Sequence, residues 1–191
     1  MDILSKIESL LYVYEDTEWQ RDNLENLINK LPKNVEFIKI ENRKRAQAIG
    51  SQALYQLGRL QDVILWSTPI IDSQAYLWQA YAYFDLKNFS ESLICIEKAM
   101  SLLDLQDWCY WKLYELKLCC VLYIDSDNIK NGDFDILRKE YEKLGDFCPI
   151  AIELLAALNW YKSSPFFKAH LYDYIWNLFI NHFIEHKLIN Y

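Results

Sequence analysis

Two of the three histidines, His182 and His186, stand four positions apart in the pentapeptide HFIEH, with Glu185 beside the second. On a helix that spacing brings both imidazoles to one side, and an adjacent carboxylate can act as a base. Two nitrogen ligands and a base are the elements of zinc-assisted hydrolysis.

The order H-x-x-E-H resembles the signature of the inverted zinc peptidases. A catalytic zinc needs a third protein ligand, which in those enzymes is a Glu far downstream, whereas five residues follow His186 here. His170 lies twelve positions before His182, roughly 18 Å away along one helix. His182 and His186 are thus the metal candidates of an alternative reading, a zinc-dependent hydrolase. The main expectation is no metal, no cofactor and no catalytic residue, with His182 hydrogen-bonded at a packed face. Glu185 and His186 should meet solvent near the helix C-terminus, where a protonated imidazole suits the dipole.

Other chemistry finds less support. In the loop Asp125 to Leu137, taking Asp127 as the first ligand of a calcium loop places Asn131 and Gly132 well. The third position is then Ile129, however, and the twelfth, where a bidentate Glu belongs, is Arg138. A solvated acidic turn through Asn131-Gly132 explains the same residues. Neither G-x-x-x-x-G-K-[ST], G-x-G-x-x-G nor G-x-S-x-G occurs, so phosphate-cradling loops and the nucleophile elbow are missing.

The elements that must position these residues are helices. The 191 residues are 52% hydrophobic and 16% aromatic, with 4 Gly and 4 Pro, too few turn formers for a many-stranded β-fold. A net charge of -7 argues against a nucleic-acid or anionic-membrane surface, which requires a positive field. The one basic cluster, Lys39, Arg43, Lys44 and Arg45, reads as a solvated helix face. Five cysteines without C-x-x-C spacing read as reduced thiols of a cytosolic or nuclear protein. The stretch Phe166 to Ile184 carries too many polar groups for a membrane span.

Apolar spacing predicts helices over about 3–14 and 18–31, with Thr17 and Gln20 as a capping box and Pro32 as terminator. A longer helix is expected from Val35 to Leu57, broken at Gly58-Arg59, and a short one from Leu60 that Pro69 ends. Asp72 and Ser73 cap a helix to Leu86, and another runs on to Leu103. Further helices are expected at Gln106–Ile124, Phe134–Leu144, Pro149–Tyr161 and Pro165–Leu188, about ten in all.

Placing ALYQLGRLQDVILWS (Ala53 to Ser67) over AYFDLKNFSESLICI (Ala82 to Ile96) superposes Ala on Ala, Leu57 on Leu86 and Leu60 on Phe89. Each segment is a helix ending in a large apolar residue, a polar turn, and a second helix opened by another apolar residue. Such units bury their faces by stacking. Residues Ser73 to Gln106 resemble a tetratricopeptide repeat: Ala80 takes the small position of the first helix, Tyr83 the aromatic after it, Phe89 the opening of the second, and Ser92, Ile96 and Ala99 follow in register. Tyr76 replaces the signature Trp, and Asp104 the closing Pro. The preceding unit, with Gly50 and Ser51 at the close-packing step, matches less well.

The resemblance implies an all-α, antiparallel helix-turn-helix array, an α-solenoid, over 1–191 as a single domain: an N-terminal helix pair (1–34), a repeat core (35–106), then additional helices and a hydrophobic capping helix (107–191). It also implies a concave groove lined by first helices, here by Leu77, Tyr81 and Phe84, and suited to a peptide or partner helix. The last helix, with Trp176, Phe179 and Phe183, is apolar around most of its circumference and should cap the array or dock on a partner. The function implied is a non-catalytic adaptor, scaffold or assembly subunit, with protein partners in a multi-subunit complex and no small-molecule substrate.

Overall fold

The computed structural model describes residues 2–12, 17–33, 35–68, 72–105 and 107–124, together with Ile136, Lys139 and Lys143. These residues are helical without a strand: α1 (Ile3–Tyr12), α2 (Glu18–Ile28), α3 (Ile40–Gln56), α4 (Leu60–Trp66), α5 (Ser73–Asp85), α6 (Phe89–Met100) and α7 (Trp108–Ile124), with a 3-10 turn at Val35–Phe37. The all-α expectation holds. The helices expected beyond Ile124 fall outside the described residues, apart from Ile136, Lys139 and Lys143, which are helical. No helix among the described residues is long and apolar enough to cross a membrane.

The chain divides into two compact units, one spanning Met1–Leu102 and the other Leu103–Leu188. In the first unit, α1 turns Leu4, Ile7 and Leu11 inward, one face at helical spacing. They join Leu24 and Ile28 of α2 and Ala46, Ile49, Ala53 and Leu54 of α3 in one core. Thr17 caps α2 as its sequence requires: its Oγ1 accepts from the Gln20 amide at 3.3 Å and its hydroxyl donates to Gln20 Oε1 at 3.1 Å. The hydroxyl thereby satisfies a helix-end amide that would otherwise need water, and the Gln20 side chain holds the hydroxyl in place.

The expected helix from Val35 is in fact two pieces. Arg43 turns its guanidinium back, donating to the carbonyls of Ile38 (2.9 Å) and Glu36 (2.6 Å). The turn at Val35–Phe37 is closed by the Ile38 amide donating to the Val35 carbonyl at 2.9 Å, and α3 begins at Ile40. The rest of the basic cluster also has specific tasks. Arg45 ties α3 to α1 through Glu8 (2.6 Å) and Ser5 (3.0 Å). Lys44 sits 3.2 Å from Asp72, whose other oxygen caps α5 by accepting from the Gln74 amide.

The pairs α3/α4 and α5/α6 are the same hairpin repeated at an interval of 29 residues. Gly58 and Lys87 hold equivalent positions with φ of +72° and +61°, the left-handed stop common after a helix. Around Gly58 the amides of Leu57, Gly58 and Arg59 donate to the carbonyls of Ala53, Tyr55 and Leu54; around Lys87 those of Leu86, Lys87 and Asn88 donate to Ala82, Phe84 and Tyr83. Each acceptor is the counterpart of the other, 29 positions on.

Inside each hairpin the helices meet at one small-residue step. In the second, Ser92 donates to the Ala80 carbonyl at 2.8 Å, both residues fully buried, and the Cys95 thiol lies 3.1 Å from Gln79 Oε1. In the first, the counterparts of Gln79 and Cys95 are Gly50 and Trp66. A Cβ on Gly50 would land 2.7 Å from Trp66 Cε2, while the indole N–H donates to the Ala46 carbonyl at 3.2 Å. A large residue on the second helix is matched by a missing side chain on the first, so both hairpins close.

In the second unit, α7 buries Trp111, Leu113, Leu116, Leu118, Cys119 and Cys120. Trp111 donates its indole N–H to the Leu105 carbonyl at 2.8 Å. Lys112 and Glu115, one turn apart and both buried, lie 3.5 Å from each other. An ion pair so removed from water needs its partner, because either charge alone would be strongly disfavoured.

Candidate protein-interaction face

The first helices of the two hairpins, α3 and α5, pack side by side. On α5 the spacing of Trp78, Tyr81 and Asp85 puts all three on one stripe; Tyr55 reaches them from α3. The rings of Tyr55, Trp78 and Tyr81 form a triangle with centroids 5.4, 5.9 and 5.8 Å apart and planes tilted by 39° to 45°. Trp78 and Tyr55 are half-buried, whereas Tyr81 is closed off. Such tilted contacts are favourable between quadrupoles and leave parts of the ring faces available.

At the end of the stripe, Asp85 accepts a hydrogen bond from the Tyr55 side chain. Its Oδ1 is buried and has no partner. Removal from water pushes the Asp85 carboxyl up to about 7, the Tyr55 hydrogen bond acting in the opposite direction. The equivalent position of the first hairpin, Gln56, also carries a buried acceptor without a donor, its Oε1. On the other side of α5, Lys98 lies 5.8 Å from the centre of the Tyr76 ring, so that aromatic already has a cation within reach.

Of the three residues expected to line the groove, Tyr81 belongs to this stripe, whereas Leu77 and Phe84 do not, and all three are buried. Leu77, Tyr81 and Phe84 are 7%, 2% and 1% exposed, and Phe84 meets Phe89 of α6 edge-on at 5.4 Å. A partner that uses them must displace the chain that covers them. Tyr55, Trp78 and Asp85 were not singled out by the repeat register, although the interval from Trp78 through Tyr81 to Asp85 is itself a helical-face signal. Trp176, Phe179, Phe183, His182 and His186 lie outside the described residues, as do the loop Asp125 to Leu137 except Ile136, and Cys148.

A second concavity lies among α2, α3 and α4, a cleft of about 410 Å³ walled by Ile28, Leu31, Leu54, Leu65 and Trp66, with Lys33, Arg59 and Asp62 also on its lining. Leu65 is 71% exposed there. Arg59 is held by Asp62 at 2.7 Å and Asn29 at 3.0 Å. Among the described residues no group of three or more His, Cys, Asp or Glu side chains is placed to hold a metal ion. Cys95, Cys109, Cys119 and Cys120 are not joined in disulfides, and burial pushes the Cys95 thiol up to about 11, which keeps it protonated and unreactive.

No family model, curated protein or solved structure matches this chain.

Proposed function

We propose that this chain is a non-catalytic protein-interaction module, an adaptor, scaffold or subunit of a larger assembly in the cytosol or nucleus, built as a tetratricopeptide-like array. The observation that carries the reading is the α3/α5 face, where the rings of half-buried Tyr55 and Trp78 meet and Asp85 holds a buried carboxylate oxygen without a hydrogen-bond partner among the described residues. Large aromatics left partly open next to an unmatched polar atom are the composition of binding anchors. The partner is a peptide or helix that lies across the first helices of successive hairpins. Leu77, Tyr81 and Phe84 are the groove positions of the repeat register on the same helix, and the apolar segment with Trp176, Phe179 and Phe183, expected to be helical, is a further docking element.

The reading is tested with a photo-crosslinking phenylalanine analogue in place of Trp78, which preserves aromatic bulk, and a control at exposed Asp22 on α2. In native cells the analogue at position 78 should capture a defined protein and the control should not. Recovery of monomer alone from both, with thermal unfolding unchanged, would remove this reading.

A further inference from the structure

The cleft among α2, α3 and α4 is open to solvent, and none of its lining residues belongs to α5. The buried side chains on its lining are apolar, Ile28, Leu54 and Trp66, while Leu65 beside them is 71% exposed. A small-molecule site encloses most of its ligand. A cleft of about 410 Å³ with a wall as open as Leu65 leaves the rest of its occupant outside, which suits a side chain carried by a larger partner.

The polar residues on the same lining are short of acceptors. Lys33 is exposed and makes no hydrogen bond or ion pair among the described residues. Arg59 spends Nε on Asp62 and Nη1 on Asn29 Oδ1, and neither its Nη2 nor the Asn29 Nδ2 has an acceptor among the described residues. The guanidinium is therefore already fixed, and its unused N–H groups are offered without further loss of freedom. Two cations stand against one carboxylate, Asp62, on a chain whose net charge is -7. A cationic occupant would meet that local excess of positive charge. A wholly apolar one would take water from Lys33 and Arg59 and return no acceptor.

A carboxylate beside a large apolar group answers both features, since it accepts from the two cations while the apolar group covers the rest of the cleft. We infer that this cleft binds a segment of a partner protein in which a large apolar side chain adjoins Asp or Glu. The apolar side chain lies against Leu54, Leu65 and Trp66, and the carboxylate meets Lys33 and Arg59. The inference rests on the interaction reading for its premise that the occupant is a protein, and it assigns a different surface.

Four blocked tripeptides test it on the full chain, with acid on both sides of the apolar residue so that either order is presented: acetyl-Glu-Phe-Glu methylamide, its neutral isostere with Gln-Phe-Gln, the charge-reversed Lys-Phe-Lys, and Glu-Ala-Glu. The readout is the NMR shift of the Leu65 methyl groups, identified by their loss in Leu65→Met. Glu-Phe-Glu should give a saturable shift, and Gln-Phe-Gln should bind about fivefold more weakly, the scale of an exposed ion pair. Lys-Phe-Lys and Glu-Ala-Glu should bind more weakly still. Lys33→Gln should weaken Glu-Phe-Glu by a similar factor, whereas Lys30→Gln, the same charge change at an exposed α2-end residue off the cleft lining, should leave it nearly unchanged.

No saturable shift with Glu-Phe-Glu, equal binding of Gln-Phe-Gln or of Glu-Ala-Glu, or the same response in Lys33→Gln and Lys30→Gln would each overturn the inference. Tighter binding of 3-phenylpropionate than of Glu-Phe-Glu would do so as well, by making the occupant a small carboxylate. A partner crosslinked at position 78 while the tripeptides fail removes only the cleft assignment. Tripeptide binding without a partner crosslinked at position 78 removes only the role given to the α3/α5 face.

Discussion

Trp66 fills the space that a side chain at position 50 would need: a Cβ built on Gly50 falls 2.7 Å from the indole Cε2, and the indole is fixed by its bond to the Ala46 carbonyl. The equivalent pair in the following hairpin, Gln79 and Cys95, reverses the sizes and closes with a 3.1 Å contact. The two positions therefore specify each other.

Gly50→Ala should destabilise the protein by about 2 kcal/mol, because the cost of overpacking exceeds the roughly 1 kcal/mol that alanine gains over glycine within a helix. Combining it with Trp66→Leu should cost less than the sum of the single changes. Chemical denaturation of the four variants checks this, and strict additivity would show that the two residues do not share one space.

The left-handed turns at Gly58 and Lys87 predict opposite responses to reciprocal substitutions. Nothing lies within 4 Å of a Cβ on Gly58, so Gly58→Ala is opposed by its φ alone and should cost about 1 kcal/mol. Lys87→Gly should instead stabilise the chain by about 0.5 kcal/mol. Thermal unfolding midpoints that move in the same direction would mean that the two turns are not equivalent.

Asp85 gives stability a pH dependence. Its folded pKa, about 7, lies above the ordinary 3.8, so the folded chain holds a proton that the unfolded chain has released. The contribution is complete below about 3.8, and it is lost as pH rises through about 7. Asp85→Asn should flatten that part of the profile and raise stability at pH 8 by roughly 2 kcal/mol, allowing for the solvent that still reaches the group. Urea unfolding of both proteins at pH 5 and pH 8 decides it; parallel profiles would sink the claim.

The non-catalytic reading also predicts that the purified chain binds no stoichiometric zinc and that His186→Ala leaves its metal content unchanged. Elemental analysis after dialysis against a trace of zinc is the measurement. Zinc near one equivalent that disappears in His186→Ala would favour the hydrolase alternative.

Much of the local architecture was readable because it depends on neighbours in the chain. The Thr17–Gln20 box, the Asp72 cap and the stop at Gly58 each involve groups within a few residues of one another, so side-chain type and spacing suffice. Ile7 and Leu11, or Leu24 and Ile28, reveal their buried face by period alone. The small step at Gly50 and Ser51 and at Ala80 was also visible as composition, although its partners were not.

What the sequence by itself determined is therefore, among the described residues, the helical character, most helix positions and the two hairpins, since backbone hydrogen bonding and apolar periodicity are local. Only the tertiary structure decided which residues meet between helices. Arg43 shortens α3 by bonding carbonyls that precede it, Trp66 lies against Gly50 across a hairpin, and Tyr55 crosses from α3 to Asp85. It also decided exposure: Leu77, Tyr81 and Phe84, expected at an open groove, are covered, while Trp78 is partly open. Both outcomes depend on the relative placement of helices, where a rotation of one residue, about 100°, exchanges a buried side chain for an exposed one.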